Sequence, residues 1–369
     1  MSLGIRLRTE LHPLLIGDVL ISSPEAAIPL SVPSIGDIER VFPKGSGFVP
    51  SALCQKVVVL PNLALVWAGT GFAARAIISE LCDLNSKAAF NLSTLNQFLS
   101  KVDRSLSEQV QIAGFVLEAA GPREFGMNSK EVQIARFGQV GIIGSGTDHA
   151  VKYLRGCGGC ETTGLPRRQF PSIFAAATGL SIAGAFLSDE LCTGFSLSNY
   201  FGGGYEVAVL NGNRFLKLRD ATFLYWLVEA DVKNSIALSL HQIAKYTYAE
   251  EFLVIRTADI VREGSGYRLI QKRRINVVSP INKRVTQFPK DTPIPPFDSE
   301  WICNYLIPMP YAREVFCHFC RVNTTSEAPI RFTNDAEKTI VSFRDDFIKQ
   351  MVEASGLLPG GTRAYERRR

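Results

Sequence analysis

Residues 56–71 read KVVVLPNLALVWAGTG and hold two strand patterns and the start of a helix. Two apolar runs, 56–60 and 64–68, flank the dipeptide PN, and this spacing predicts a β-hairpin. The tripeptide GTG then opens a predicted helix at 72–84, because apolar residues recur there every three or four positions. The stretch therefore predicts a hairpin that turns directly into an amphipathic helix.

Paired strands and paired helices continue on both sides of this stretch. Apolar or alternating runs predict strands at 3–8, 14–21, 110–117, 132–137, 140–143, 205–210 and 215–218, and helices at 93–106, at 148–154 and from Pro171. Helices that arrive in pairs between antiparallel strands are typical of two sheets enclosed by two helical layers. The predicted class is α+β, a four-layer αββα sandwich, and residues 1–232 are predicted to form it.

The chain changes character beyond about residue 230, where short strand patterns and prolines become frequent. An amphipathic helix is predicted at 345–353, before a glycine-rich, basic end. Residues 233–369 are therefore predicted to form an additional C-terminal α+β module. The aromatic run at 223–226 supplies the apolar area that would dock this module on the first domain.

Composition excludes several classes of protein. The 369 residues are 46% hydrophobic and 20% charged, which excludes a disordered chain, a collagen or a coiled coil. Forty Lys and Arg against 35 Asp and Glu give a net charge of +5, and the basic residues are scattered rather than arranged in a stripe. No nucleic-acid partner is therefore predicted.

Targeting signals and membrane spans are also not expected. The first residues lack an apolar stretch followed by a cleavage site, and the eight cysteines are interpreted as reduced thiols. The uncharged segment 170–188 is long enough to span a bilayer, but its proline, glycines and hydroxyl residues favour a buried helix. The sequence predicts a cytoplasmic protein with no membrane partner.

Four stretches carry a resemblance to a known family. They are the span from Ser2 to Asp18, which has the length of the family's opening hairpin once Met1 is removed; KV at 56–57 with AG at 68–69; GSGTDHA at 144–150; and the glycines at 202–204 with the strand that follows. In this order and spacing, roughly the first 220 residues resemble the proteasome β-type subunits and the bacterial proteasome-like peptidases, which are N-terminal-nucleophile (Ntn) hydrolases.

The resemblance implies a nucleophile that carries its own base. Ser2 would be the nucleophile after removal of Met1, and its α-amino group, with a pKa of about 7.7–8.0, would accept the hydroxyl proton. Lys56 would keep that pKa low through like charge. Asp18 would hold the lysine in place.

The same resemblance assigns two supporting groups, and at a third position this chain departs from the family's pattern. Ser145 would be a supporting hydroxyl, and the backbone N–H at Gly69 would be an oxyanion donor. The family usually has an aspartate three residues before a Ser-Gly-Gly, where this chain has Ser198 or Asn199. An amide at Asn199 cannot supply the negative potential of a carboxylate.

These residues predict a proteasome-like amide-bond hydrolase, a serine- or threonine-type peptidase whose substrate is a polypeptide. The alternative is a catalytically inactive member of the family that serves assembly or binds a partner protein. The resemblance also implies a homo-oligomer. Activity requires the Ser2 amine to lie within hydrogen-bond reach of Lys56, so the geometry around these two residues bears on the choice.

Two C-x-x-C pairs leave a second hypothesis open. Cys157 and Cys160, together with Cys317 and Cys320, could supply four thiolates to a structural zinc. The first pair lies in a turn-rich loop, as in zinc knuckles, whereas the second lies in a segment that alternates like a strand, where thiols pack in a core. No other cofactor is predicted.

Overall fold

The computed structural model describes most of the chain. The described residues are 2–10, 12–24, 30–35, 41–42, 47, 49–156, 171–230, 236–263, 266–269, 274–282, 299–308, 316–321, 330–334, 339–344, 346–347 and 349. They form two compact units whose segments alternate along the chain. Unit 1 contains Met1–Arg219, Tyr248–Val254 and Asn276–Thr292, and unit 2 contains Asp220–Thr247, Ile255–Ile275 and Pro293–Arg369.

The division differs from the boundary predicted after residue 232. The strand that starts at Asp220 belongs to unit 2, and two later segments of the chain return to unit 1. Unit 1 is therefore built from residues far apart in sequence, and its first 219 residues are only part of it.

Strands are the commonest elements of the described chain. The helices are α1 (Gly71–Lys87), α2 (Leu92–Lys101), α3 (Arg104–Ser107), α4 (Thr147–Gly156), α5 (Pro171–Thr193) and α6 (Phe195–Ser198). The strands are β1 (Gly4–Thr9), β2 (His12–Asp18), β3 (Leu20–Ser23), β4 (Val49–Gln55), β5 (Val57–Leu60), β6 (Leu63–Gly69), β7 (Val110–Glu118), β8 (Gly121–Met127), β9 (Lys130–Ile134), β10 (Gly138–Ile143), β11 (Tyr205–Asn211), β12 (Arg214–Lys217), β13 (Asp220–Ala230), β14 (Ile236–Ala249), β15 (Phe252–Glu263), β16 (Gly266–Leu269), β17 (Arg274–Pro280), β18 (Trp301–Pro308), β19 (Phe316–Arg321), β20 (Ile330–Asn334) and β21 (Thr339–Phe343).

The predicted fold class is wrong. The described residues are 51% strand and 28% helix, with several sheets and few helices, and they do not form a four-layer αββα sandwich. The C-terminal part is the clearest departure, because β13 to β21 follow one another there without an intervening long helix among the described residues. Buried polar residues in these strands, such as Lys245 and Arg256, interrupt the apolar alternation from which strands are recognised.

A six-stranded sheet in unit 1 carries the N-terminal hairpin. Its strand order is β12-β11-β2-β1-β10-β9. In the hairpin Gly4 pairs with Gly17 and Ile5 with Ile16, and all four residues are buried. Because Ser2 lies two residues before the first residue of β1 and Asp18 ends β2, antiparallel pairing places these residues at the same end of the sheet.

A four-stranded sheet, in the order β5-β6-β7-β8, contains the hairpin predicted from residues 56–71. Val57 pairs with Val66 and Leu60 with Leu63, so the predicted hairpin is confirmed. The predicted helix that follows is also confirmed as α1. One core cluster contains buried side chains of both sheets, including Leu15, Val66 and Phe115. The lysine strand is therefore fixed against the N-terminal hairpin by apolar packing.

The close approach of the two sheets at Gly17 gives a prediction. A Cβ atom at Gly17 would lie 2.9 Å from Val66 Cγ2 and 3.0 Å from Val57 Cγ2. We expect Gly17→Ala to lower the free energy of unfolding by about 1–3 kcal/mol through overpacking. Adding Val66→Ala should make the second substitution less costly than it is alone, as measured by a double-mutant cycle in urea. Strictly additive effects would show that these residues do not meet.

Residues 171–188 of the apolar segment form most of α5, the buried helix that the sequence predicts. A Cβ atom at Gly179 would lie 2.5 Å from Val207 and 2.7 Å from Leu14, so the small residue permits close packing on the sheet. Among the described residues, α5 is the helix long and apolar enough to cross a membrane, and most of it is buried within the structure. Core helices of soluble proteins share that length and composition.

Unit 2 is built on strands in the order β19-β18-β13-β14-β15-β16-β21-β20. β13 is an interior strand, which pairs antiparallel with β14 and parallel with β18. The aromatic run lies in β13, where Leu224 and Trp226 belong to the core of unit 2 and the rings of Phe223 and Tyr225 contact the ring of Tyr305. These residues thus build the core of their own unit.

Candidate active site

Lys56, Asp18 and Ser2 meet in the interior of unit 1. The Nζ atom of Lys56 lies 2.7 Å from Ser2 Oγ and 2.6 Å from Asp18 Oδ1, and it also donates to the carbonyl of Leu20. All three residues are fully buried. A hydroxyl group, an ammonium group and a carboxylate are therefore in direct contact, away from solvent.

The Asp18 carboxylate is held by backbone as well as by the lysine. Its Oδ1 accepts a hydrogen bond from the Leu3 N–H at 3.0 Å, and its Oδ2 accepts one from the Gly202 N–H at 2.8 Å. Burial raises the pKa of Asp18 above its ordinary value, while the Lys56 ammonium and these N–H donors oppose the rise. The carboxylate is thus fixed in orientation with respect to both the hairpin and the glycine turn.

Lys56 is positioned by a second buried carboxylate, which the sequence analysis missed. Glu206 Oε2 accepts hydrogen bonds from the backbone N–H groups of Lys56 and Val57, at 2.7 and 3.0 Å. Its Oε1 accepts from Lys217 Nζ at 2.6 Å and from the Tyr248 hydroxyl at 2.8 Å. A lone acidic residue within the apolar strand β11 was the available signal, because a buried charge requires partners.

Ser145 contacts Ser2 through the backbone of Ser2. The Ser2 N–H donates to Ser145 Oγ at 3.3 Å, and the Gly146 N–H donates to the Ser2 carbonyl at 3.1 Å. Ser145 Oγ in turn donates to the Asn199 carbonyl at 3.0 Å. The GSG turn therefore fixes the N-terminal residue at the point where removal of Met1 would leave the α-amine.

Asn199 and Gly69 contribute less directly than the resemblance implies. The side-chain amide of Asn199 donates to the Phe195 carbonyl at 2.8 Å. The group of Asn199 that contacts Ser145 is therefore its backbone carbonyl and not its side chain. Gly69 ends β6 opposite Val110, and a Cβ atom added there would meet the backbone of Gln109 and Val110. Its role as oxyanion donor stays a prediction.

Glu190 is a further buried carboxylate, which the sequence analysis did not assign to the site. It is fully buried near the end of α5 and accepts hydrogen bonds from the Ser34 hydroxyl, from the Ser196 hydroxyl at 2.7 Å and from the Gly203 N–H at 3.0 Å. Burial raises its pKa to about 7, and the charge of Asp18 adds to the rise. The sequence pattern that could have indicated it is the acidic pair Asp189 and Glu190, which follows the long uncharged segment of the helix. One carboxylate of such a pair is expected to face the core.

The two C-x-x-C pairs fall largely outside the described residues. Cys157 and Cys160 lie outside them entirely. The backbone of Cys317 and Cys320 lies on β19, opposite Tyr305 and Ile302, but their side chains are outside the description. Within the part of the chain that is described, no cluster of three or more His, Cys, Asp or Glu side chains could hold a metal. The zinc site stays a prediction.

Comparisons with known proteins give no family for this chain. No protein-family model matches it, and no curated protein matches it.

Proposed function

We propose that this protein is an amide-bond hydrolase of the N-terminal-nucleophile type, acting on polypeptides, with Ser2 as nucleophile. The observation that carries the proposal is the contact of Lys56 Nζ with Ser2 Oγ at 2.7 Å and with Asp18 at 2.6 Å. A buried ammonium beside a hydroxyl favours the developing alkoxide, because opposite charges interact strongly where water is excluded.

The first half-reaction transfers the acyl group of the substrate to Ser2. As Ser2 Oγ attacks the carbonyl carbon, its proton passes to the neutral α-amine, and the C–O bond of a tetrahedral intermediate forms. The α-ammonium then returns this proton to the leaving amine as the C–N bond breaks. An ester on Ser2 and a new amino terminus are the products of this step.

The second half-reaction hydrolyses the ester. The α-amine removes a proton from water, the hydroxide equivalent adds to the ester carbonyl, and the Ser2 oxygen leaves and recovers its proton. Lys56 and Asp18, which form an ion pair, neither give nor take a proton in either half-reaction. Their contribution is electrostatic and positional.

Substitution of the nucleophile tests this proposal. We expect Ser2→Ala to lower kcat for a short fluorogenic peptide roughly 10³-fold or more, since the hydroxyl forms the covalent intermediate. The melting temperature should stay close to that of the wild type, because Lys56 keeps its contacts with Asp18 and Leu20. Ser188→Ala, which removes another buried hydroxyl inside α5, should leave kcat unchanged.

Two outcomes would contradict the proposal. Wild-type activity in Ser2→Ala would place the chemistry elsewhere. A folded wild-type chain without Met1 that hydrolyses neither peptides nor activated esters would favour the inactive alternative, which binds a partner or serves assembly. The homo-oligomer stays a prediction, and light scattering at micromolar concentration tests it.

A further inference from the structure

A short turn segment, residues 196–203, contacts the reactive centre at two points. The Asn199 carbonyl accepts from Ser145 Oγ at 3.0 Å, and the Gly202 N–H donates to Asp18 Oδ2 at 2.8 Å. Ser145 accepts a hydrogen bond from the backbone N–H of Ser2, and Asp18 forms the ion pair with Lys56. The position of this segment therefore affects the nucleophile and the cation together.

Glu190 holds the turn segment at both ends. Its Oε2 accepts from the Ser196 hydroxyl at the start, and both of its oxygens accept from the Gly203 N–H at the end, at 3.0 and 3.1 Å. The backbone at Gly202 has φ +113°, and a Cβ atom there would lie 2.0 Å from Glu190 Oε2. The left-handed conformation and the absence of a side chain let the carboxyl group approach the turn this closely.

We propose that Glu190 is a positioning residue for the reactive centre: it fixes the turn segment that bonds Ser145 and Asp18, and its charge acts on the Asp18–Lys56 pair. This inference rests on the proposed function. Positions 198 and 199 of the turn segment carry no carboxyl group, and the proposal gives that role to Glu190 instead.

The charged groups around Glu190 are few among the described residues. Asp18, from β2, acts on it electrostatically, and its hydrogen-bond partners Ser34, Ser196 and Gly203 are uncharged. The neighbouring Asp189, on the same helix, lies instead 3.7 Å from His149 of α4. Burial lowers the pKa of His149, so this pair adds little positive charge near pH 7.

The sign of the expected pH effect follows from these charges. As pH rises through about 7, Glu190 loses its proton, and its negative charge adds to that of Asp18, whose partner Lys56 contacts Ser2, so it favours the charged form of the Ser2 α-amine. This raises the pH at which that amine becomes the neutral base. Glu190→Gln lacks the charge, so we expect its rising limb of kcat/KM to move to lower pH by roughly 0.5–1 unit.

Steady-state kinetics of the full chain test the proposal. We expect Glu190→Gln to lower kcat about tenfold with little change in KM, because the reactive centre and not substrate binding is disturbed. Ser196→Ala, which removes one hydrogen bond but keeps the carboxyl group, should lower kcat less than Glu190→Gln does. Asp189→Asn removes a neighbouring charge and should shift neither. A wild-type kcat and pH profile in Glu190→Gln would overturn the proposal.

A measurement independent of activity separates this proposal from the proposed function. If the wild type shows no hydrolysis, the proposed function fails, but amide hydrogen exchange still reports on positioning. We then expect Glu190→Gln to speed exchange of the Gly202 N–H at least about tenfold, because the turn loses an anchor. Unchanged exchange would overturn the role of Glu190. Should this variant not fold, Ser196→Ala, which removes one hydrogen bond to Glu190, must speed exchange of the Gly202 N–H, and unchanged exchange in it would overturn the role equally.

Discussion

Lys56→Met is expected to abolish most of the hydrolytic activity, with a loss in kcat of about 10²–10³-fold. The substitution keeps much of the aliphatic length but removes the ammonium that lies 2.7 Å from Ser2 Oγ. Without this charge, the alkoxide that forms during attack has no nearby cation, and the α-amine becomes more basic and is protonated at neutral pH. Rates should be compared at saturating peptide over a range of pH.

The same variant should also be less stable. Removing one member of a buried ion pair leaves the Asp18 carboxylate uncompensated, which costs about 3–5 kcal/mol at neutral pH. The cost should fall at lower pH, because burial already raises the pKa of Asp18 and a protonated carboxyl needs no cation. Urea unfolding of Lys56→Met at several pH values measures this trend.

Lys245→Met is the matched control for this prediction. Lys245 is an almost fully buried ammonium paired with the Asp220 carboxylate in unit 2. Its replacement should destabilise unit 2 and leave kcat of the folded protein near the wild-type value. Loss of activity in the control as large as in Lys56→Met would mean that destabilisation, and not the chemistry at Ser2, explains the effect.

A chain that ends after residue 232, the boundary predicted from the sequence, is expected not to fold. It lacks segments Tyr248–Val254 and Asn276–Thr292, which belong to unit 1. Gln55, next to the lysine, donates from Nε2 to the carbonyls of Glu251 and Val278 at 2.6 and 2.8 Å, and β4 loses its parallel partner β17. The shortened chain would leave buried polar groups such as the Gln55 side-chain amide without these partners, and buried polar groups without partners are costly.

Circular dichroism, proteolysis and solubility of this shortened chain test the prediction.

In the full chain, Tyr248→Phe should lower the free energy of unfolding by about 1–3 kcal/mol, since Glu206 loses a buried donor. Tyr267→Phe is its control, because that hydroxyl has only a 3.5 Å contact with the Leu238 carbonyl, and a smaller loss is expected. A cooperative, soluble 1–232 fragment would refute the division of the chain described here.

The sequence predicted local elements well. The hairpin of β5 and β6, helix α1 and the buried helix α5 all follow from short-range patterns, since turn residues and apolar periodicity are local properties. The contact of Ser2, Asp18 and Lys56 was anticipated only through the family resemblance, because no periodicity indicates that residues 38 and 54 positions apart will meet.

The predicted architecture failed where long-range pairing decides the structure. β13 pairs in parallel with β18, some eighty residues later in the chain, and two segments of the C-terminal half complete unit 1. Glu190 and Glu206 were missed for the same reason. Some of their partners, such as Ser34 and Tyr248, are distant in sequence, so the local pattern around each carboxylate does not indicate what it bonds.

Peptide mapping by mass spectrometry, after reaction with an activated acyl ester, tests most directly whether Ser2 is an N-terminal nucleophile. The purified full chain is acylated, quenched at low pH and digested. We predict that the N-terminal peptide begins at Ser2 without Met1 and that it alone carries the acyl group in the wild type, and that Ser2→Ala is not labelled. Retention of Met1 in a chain that turns over the ester, or the acyl group on another residue, would contradict the account.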